Sequence, residues 1–205
     1  MNVSDTGHER RSQAERTEAT RTALIAAARA LFADRGYADV GTEEIVSRAG
    51  VTRGALYHHF RGKQDLFRAV YEVVEEEVTM RIAAGMQDVS DPIDLLRKGS
   101  QLFLDACVEP EIQRIALIDA PSVLGWEEWR EIGQRYGLGL VQIALQNAMD
   151  AGLLQEQPVR PLAHVLLGAL DEAALVVARS DDQKKARREV GEVLERLILS
   201  MAAPR

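Results

Sequence analysis

Apolar residues recur every three to four positions along almost the whole chain, which is the period of an α-helix and not of a strand. Ala23, Leu24, Ala27, Ala28, Leu31 and Phe32 mark one face of a first helix. Ser12 and Glu15 precede it at capping-box spacing, and Gly36 is placed to end it in a left-handed conformation. Thr42 is expected to cap a second helix, with Glu43 and Glu44 favourable in its first turn and Ile45, Val46 and Ala49 on its buried side. Gly50 closes that helix. Thr52 caps a third, very short one that ends near His58 or His59, with Leu56 and Phe60 turned inward. Residues 42–59 thus predict helix, tight glycine-containing turn, helix.

The pattern stays helical beyond this point. Leu66, Phe67, Val70, Tyr71, Val74, Val78 and Ile82 form one stripe of a long helix, with the acidic run 75–77 as its solvated edge. Asp91-Pro92 is an N-cap followed by proline at the first helical position, and Ile93, Leu96, Gly99, Leu102, Phe103 and Ala106 give the helix that follows an inner face. Pro110 and Pro121 bracket a short apolar helix, and Pro121 with Gly125 predicts a corner. A further helix runs over 126–151 to Gly152, with Gly133, Gly137 and Gly139 inside it at a cost in helix propensity. Residues 162–178 are apolar nearly all round, whereas 183–199 carry a single seam through Ala186, Val190, Val193, Leu194, Leu197 and Ile198. Two readings of that pair stand open: a subunit interface, or a core helix with its cover inside one chain. The expected fold class is all-α, with no strand, repeat or low-complexity linker.

Charge changes the picture. The chain of 205 residues has a net charge of −7, yet residues 1–63 hold 10 Lys/Arg against 8 Asp/Glu while residues 64–205 hold 15 against 24. No acidic residue stands in 48–64, where Arg48, Arg53, Arg61 and Lys63 accompany His58 and His59. A basic head on an acidic body predicts that only the head meets a polyanion. The single Cys107 excludes an intrachain disulfide framework and reads as a reduced, partly buried thiol. The polar N-terminus and the acids Asp171 and Glu172 within the most apolar stretch argue against a leader and a membrane span, so a cytoplasmic location is expected.

The segment "TEEIVSRAGVTRGALYHHFRGKQDL", preceded by "ALFADRGYADV", resembles the DNA-binding domain of the TetR/AcrR family of bacterial transcriptional regulators. The resemblance covers residues 17–70; the remainder matches in length, helical character and paired final helices. The polar residues 1–11 are expected to be a disordered tail, and the resemblance implies a three-helix helix-turn-helix domain (12–63) and a helical ligand-binding and dimerisation domain (64–205). It also implies a homodimer that binds a palindromic operator in double-stranded DNA, and a small-molecule effector that shifts the long helix after Lys63. Positions matching Thr42, Tyr57, His59 and Lys63 contact phosphates in the family, and those matching Arg53, Gly54, Ala55 and His58 approach bases. The residues support this independently. Thr52, Arg53 and Gly54 sit at the end of a short helix suited to the major groove, and a guanidinium can bond guanine O6 and N7 together. Tyr57 either faces DNA or covers the small core, and His59 either contacts DNA or packs.

The effector pocket is expected between the long helix and the helices over 91–178, and to be hydrophobic. Trp126, Trp129 and Tyr136 supply faces, Phe103, Met80 and Met86 adaptable surface, and Asp119 and His164 polar handles. Alternatively the tryptophans only pin the corner, and Glu127, Glu128 and Arg130 around Trp129 point to its exposure. The dimer seam is placed on Leu166, Leu170, Val177, Val190, Leu194, Leu197 and Ile198. Rival readings are a helical-bundle enzyme with a cryptic active site, or a DNA-binding protein without an effector. The chain shows no Glu-x-x-His pair, phosphate loop or nucleophile motif, and adjacent His58 and His59 diverge too far for a metal. Neither catalytic residue, metal nor cofactor is therefore expected.

Overall fold

Helix α1 occupies Thr6–Arg35 in a computed structural model of the chain, which describes residues 6–202 and their side chains from residue 13. Residues 1–5 of the expected tail lie outside the described residues. Residues 6–11, also assigned to the tail, continue the helix instead, because Glu, Arg, Gln and Ala around Ser12 are good helix formers. Helices α2 (Thr42–Ala49), α3 (Arg53–His59) and α4 (Lys63–Gly85) follow, and then α5 (Pro92–Cys107) and α6 (Pro110–Ile112). A π-helical segment (Gln113–Asp119) leads into α7 (Ala120–Leu124), and α8 (Trp126–Asp150), α9 (Val159–Ala178) and α10 (Gln183–Met201) complete the chain. Among the described residues the one β-type pairing is an isolated antiparallel bridge between Leu154 and Ala202.

The chain divides into two compact units, Met1–Tyr71 and Glu72–Arg205. The division falls inside α4 and not before it, since Leu66, Phe67, Val70 and Tyr71 are buried in the first unit. There Phe32, Tyr37 and Phe67 form a cluster with ring centroids 5.2–5.6 Å apart. Leu24, Ala28, Ile45, Leu56 and Phe60 extend this small core.

In the second unit α9 packs against α5, α8 and α10. Ile93, Leu96, Leu145, Ala148, Leu154, Ala163, Leu166 and Ile198 form its central cluster. The Asp91 side chain accepts from the Ile93 and Asp94 amides at 2.8 and 3.1 Å, which is the cap expected before Pro92. Helices α5 and α10 are laced by polar bonds: Arg187 donates to Asp105 and to Gln101, and Gln101 donates to the Gly191 carbonyl at 3.0 Å. Gly191 allows this approach, since a Cβ there would stand 2.8 Å from Gln101 Oε1.

Pro121 does not terminate a helix as expected. Proline needs relief at the preceding turn, and the widened π-helical segment directly before α7 supplies it. The corner is made by Gly125 alone, at φ 86°. By length and apolar composition α9 qualifies as a membrane-crossing helix, but its Ala163, Leu166, Leu167, Leu170, Ala173, Ala174, Leu175 and Val177 are buried in the helical core.

Candidate functional site

The turn between α2 and α3 is set by Gly50, whose φ of 67° belongs to the left-handed region, and by Thr52, whose hydroxyl accepts from the Ala55 amide at 3.2 Å. Thr42 is not the cap of α2. Gly41 occupies that position, and no side chain caps the helix, so Thr42 is its first helical residue and half-buried. Helix α3 has seven residues; Leu56 is fully buried, Phe60 follows at 4% exposure, and the other face looks outward. On that face Arg53, Gly54 and His58 are exposed and Tyr57 is 48% exposed, so Tyr57 is not a core cover. His59 is half-buried, its ring 5.3 Å from that of His58 and 6.3 Å from that of Phe60.

The Arg53 guanidinium is engaged within the chain. Its Nη1 donates to Glu43 Oε1 at 2.7 Å, and its carbon lies 5.6 Å from the centroid of the Tyr57 ring. Hydrogen bonding to Tyr57 and the Glu43 charge hold its pKa above the ordinary arginine value. Nothing in the sequence motif announces this pair, because the partners stand on different helices.

Lys63 is also committed. Its ammonium donates to the Tyr37 and Val40 carbonyls at 2.8 and 2.9 Å and lies 4.0 Å from the Tyr37 ring centroid. Burial pushes its pKa below the usual lysine value. Two of three ammonium hydrogens therefore tie the start of α4 to the segment after α1, leaving one for an external anion. Asp65, the acid that ends the basic window, is consumed locally: it accepts from the Arg61 amide and from Arg68, each at 3.0 Å.

In the second unit the expected pocket residues do not share one environment. Trp129, whose charged neighbours pointed to exposure, is buried, and its indole N–H donates to the Ala116 carbonyl at 2.8 Å. Ala116 lies in the π-helical segment, where the i to i+4 ladder is broken. Trp126 is the exposed partner, at 55%, with the two ring centroids 4.8 Å apart. Met80, at 56% exposure, lies on the surface and not in a cavity wall; Met86, Phe103, Asp119, Tyr136 and His164 are half-buried. The polar pair that sequence reasoning left aside is Arg130 and Asp171, Nη1 to Oδ2 3.6 Å, joining α8 to α9. Burial pushes the Asp171 carboxyl up to about 6 against the opposing pull of Arg130. The signal was a carboxylate inside an otherwise apolar helix. Burial raises the Tyr136 hydroxyl too, helped by Glu72 and Glu76. Cys107 is fully buried, not partly, and burial raises its thiol well above the ordinary value. A groove of about 520 Å³ beside α5 and α10 is lined by Asp88, Asp94, Arg97, Lys98, Gln101 and Glu195 among others.

The expected dimer seam needs correction. Leu166, Leu170, Val177, Leu194 and Ile198 are all at most 7% exposed within the single chain, so intrachain packing consumes them. Val190 is half-buried and Leu197 is 44% exposed. Outward apolar residues include Val165 and Val176 on one side of α9 and Val193 and Leu197 on one side of α10, while exposed Leu199 lies round from that side of α10.

A short capped helix after a left-handed glycine turn, with basic and aromatic groups on its free face, defines a helix-turn-helix DNA-binding protein. The profile described as "Bacterial regulatory proteins, tetR family" matches residues 24–70, and that of the "Tetracyclin repressor-like, C-terminal domain" matches residues 93–201. The chain belongs to the TetR family of bacterial transcriptional regulators. It is 34% identical over 148 residues to the HTH-type transcriptional regulator TtgR of Pseudomonas putida, covering 68% of this chain and 70% of that protein. It is 29% identical over 152 residues to the Tn10 TetC protein of Escherichia coli, covering 72% of each. With CymR of Pseudomonas putida it is 36% identical, but over only 59% of that protein's length. The crystal structure of a TetR-family transcriptional regulator from Pectobacterium atrosepticum matches with a TM-score of 0.83 at 34% identity, over 93% of this chain and 98% of that one.

Proposed function

We propose that the chain is a cytoplasmic, homodimeric repressor that holds a palindromic operator and releases it when a hydrophobic small molecule occupies the second unit. The observation that carries the DNA-binding half is α3 itself: capped by Thr52, anchored by buried Leu56, and presenting Arg53, Gly54, Tyr57 and His58 to the outside. Arg53, Gly54, Ala55 and His58 approach base edges, while Thr42, Tyr57, His59 and the remaining hydrogen of Lys63 meet phosphates. Gly54 supports this. A Cβ there would meet only Thr52 Oγ1, at 3.8 Å, so nothing inside the chain requires glycine, and the bare backbone suits close approach by a duplex.

In the second unit the Arg130–Asp171 pair joins Asp119 and His164 as candidate polar handles of the effector site. Dimerisation uses the outer stripes through Val165, Val176, Val193 and Leu197. Helix α4 is continuous across the division of the chain, and an effector that favours one position of α4 changes operator affinity through its differential affinity for two states. The test is selection from random duplexes with the full chain. An inverted repeat is expected, with half-sites about 34–36 Å apart as for helix-turn-helix dimers. Recovery of unrelated sequences contradicts the reading.

A further inference from the structure

We infer that Glu43 is a specificity-determining residue: by holding the Arg53 guanidinium, it makes Arg53 a base reader rather than a phosphate clamp. The inference rests on the DNA-binding reading of α3 above. The first turn of α2 carries two carboxylates with different destinations. Glu44 turns to Arg35 of α1 and ties the two helices together. Glu43 instead crosses to the first residue of α3 and accepts from Arg53 Nη1 at 2.7 Å. Their side chains are 67% and 63% exposed, so this pair sits on the very face proposed for DNA. An exposed pair adds little to folding stability, so upkeep of the fold does not account for a carboxylate there.

Two physical consequences follow from the contact. A guanidinium neutralised by a carboxylate contributes little to counterion release, which is the source of sequence-independent affinity. A guanidinium held at Nη1, with the Tyr57 ring beside it, also loses less side-chain freedom on docking. Its planar fork carries five N–H donors, so single bonds to Glu43 and Tyr57 leave three for the paired acceptors of a guanine. Charge is thereby traded for orientation. Residues 45–64 hold no other acid. Glu43 therefore reaches the basic surface by tertiary contact, from just outside that stretch.

The experiment selects duplexes from a random library with the full-length wild type, Arg53→Ala, Glu43→Ala and Glu43→Gln. Affinities are then measured for the wild-type consensus and its single-base variants across a salt series. Arg53→Ala identifies the base pair that Arg53 reads. Glu43→Ala is expected to lose about tenfold discrimination at that same base pair. It should also steepen the dependence of log Kd on log salt by about one per subunit. Glu43→Gln keeps an acceptor without a charge, so it should retain most of the discrimination while steepening the salt dependence. Thermal melts near wild type exclude unfolding as the cause. Wild-type discrimination in Glu43→Ala, or an unchanged salt slope in both Glu43 variants, overturns the inference. If Arg53→Ala leaves the preferred sequence unchanged, the base-reading role falls and the inference falls with it. If Arg53→Ala changes the preference and the Glu43 variants are silent, the DNA-binding reading stands and the inference alone is lost.

Discussion

Lys63→Met separates two roles that the sequence motif runs together. Methionine keeps most of the apolar stem and deletes the ammonium. Two charge-assisted bonds disappear, to the Tyr37 carbonyl at 2.8 Å and the Val40 carbonyl at 2.9 Å, together with the cation 4.0 Å from the Tyr37 ring centroid. Bonds to charged groups contribute about 1.5–3 kcal/mol each, and an exposed cation–π contact about 0.5–1 kcal/mol. Opposing these is the burial that already depresses the Lys63 pKa, and water can reach the vacated carbonyls from the half-buried side of Tyr37. The balance is a loss of about 2 kcal/mol. For a chain of this size that corresponds to a fall in Tm of about 4–8 °C. Urea unfolding followed by far-ultraviolet circular dichroism at fixed protein concentration measures it, and hydrogen exchange locates it. Faster exchange should be confined to residues 36–46 and the start of α4. An unfolding free energy within about 0.5 kcal/mol of wild type would refute the anchoring role and leave Lys63 as a DNA contact only.

Asp171 gives a pH signature. Its folded pKa is raised from 3.8 to about 6, so the stabilisation from its protonated form is fully present below the unfolded value and is lost as pH rises through 6. The stability difference between wild type and Asp171→Asn should therefore move by about 1.4 kcal/mol between pH 5 and pH 7.5, against wild type at the higher pH; a pH-independent difference contradicts the burial argument. Trp129→Phe strands the Ala116 carbonyl and should cost about 1–3 kcal/mol in chemical unfolding, whereas Trp126→Phe on the surface should cost less than about 0.5 kcal/mol. Val193→Glu together with Leu197→Glu should yield folded monomers in sedimentation, while Leu194→Arg should unfold the second unit. Dimers that survive the double glutamate place the interface elsewhere.

Much of this architecture was legible because helix signals are local. Asp91-Pro92, Thr52 and Gly50 act through bonds to residues two to four positions away, and each stands where its type predicts. What escaped depends on neighbours distant in sequence. Helix α9 is apolar on nearly all sides, so composition alone cannot tell Leu166, which faces the core, from Val165, which faces out. Packing against α5, α8 and α10 makes that choice. Around Trp129 the charged neighbours pointed outward, but the carbonyl that receives its indole N–H comes from a π-helical segment that no periodicity reveals. Lys63 and Arg53 were legible as cations facing an anion. Their partners, Tyr37 and Val40 for one and Glu43 for the other, required the fold of the first unit.

Sequence reading by α3 is tested most directly by a specificity ratio. The Kd for the selected duplex is divided into the Kd for unrelated duplex of equal length, at one salt concentration, for wild type and for Arg53→Ala. Wild type should favour the selected duplex by about 10³-fold or more, the range of specific DNA-binding proteins. Arg53→Ala should lower that ratio by at least about tenfold, because the Glu43 carboxylate it leaves unpaired weakens both duplexes alike and cancels from the ratio. A wild-type ratio close to one, or an Arg53→Ala ratio equal to wild type, contradicts the account.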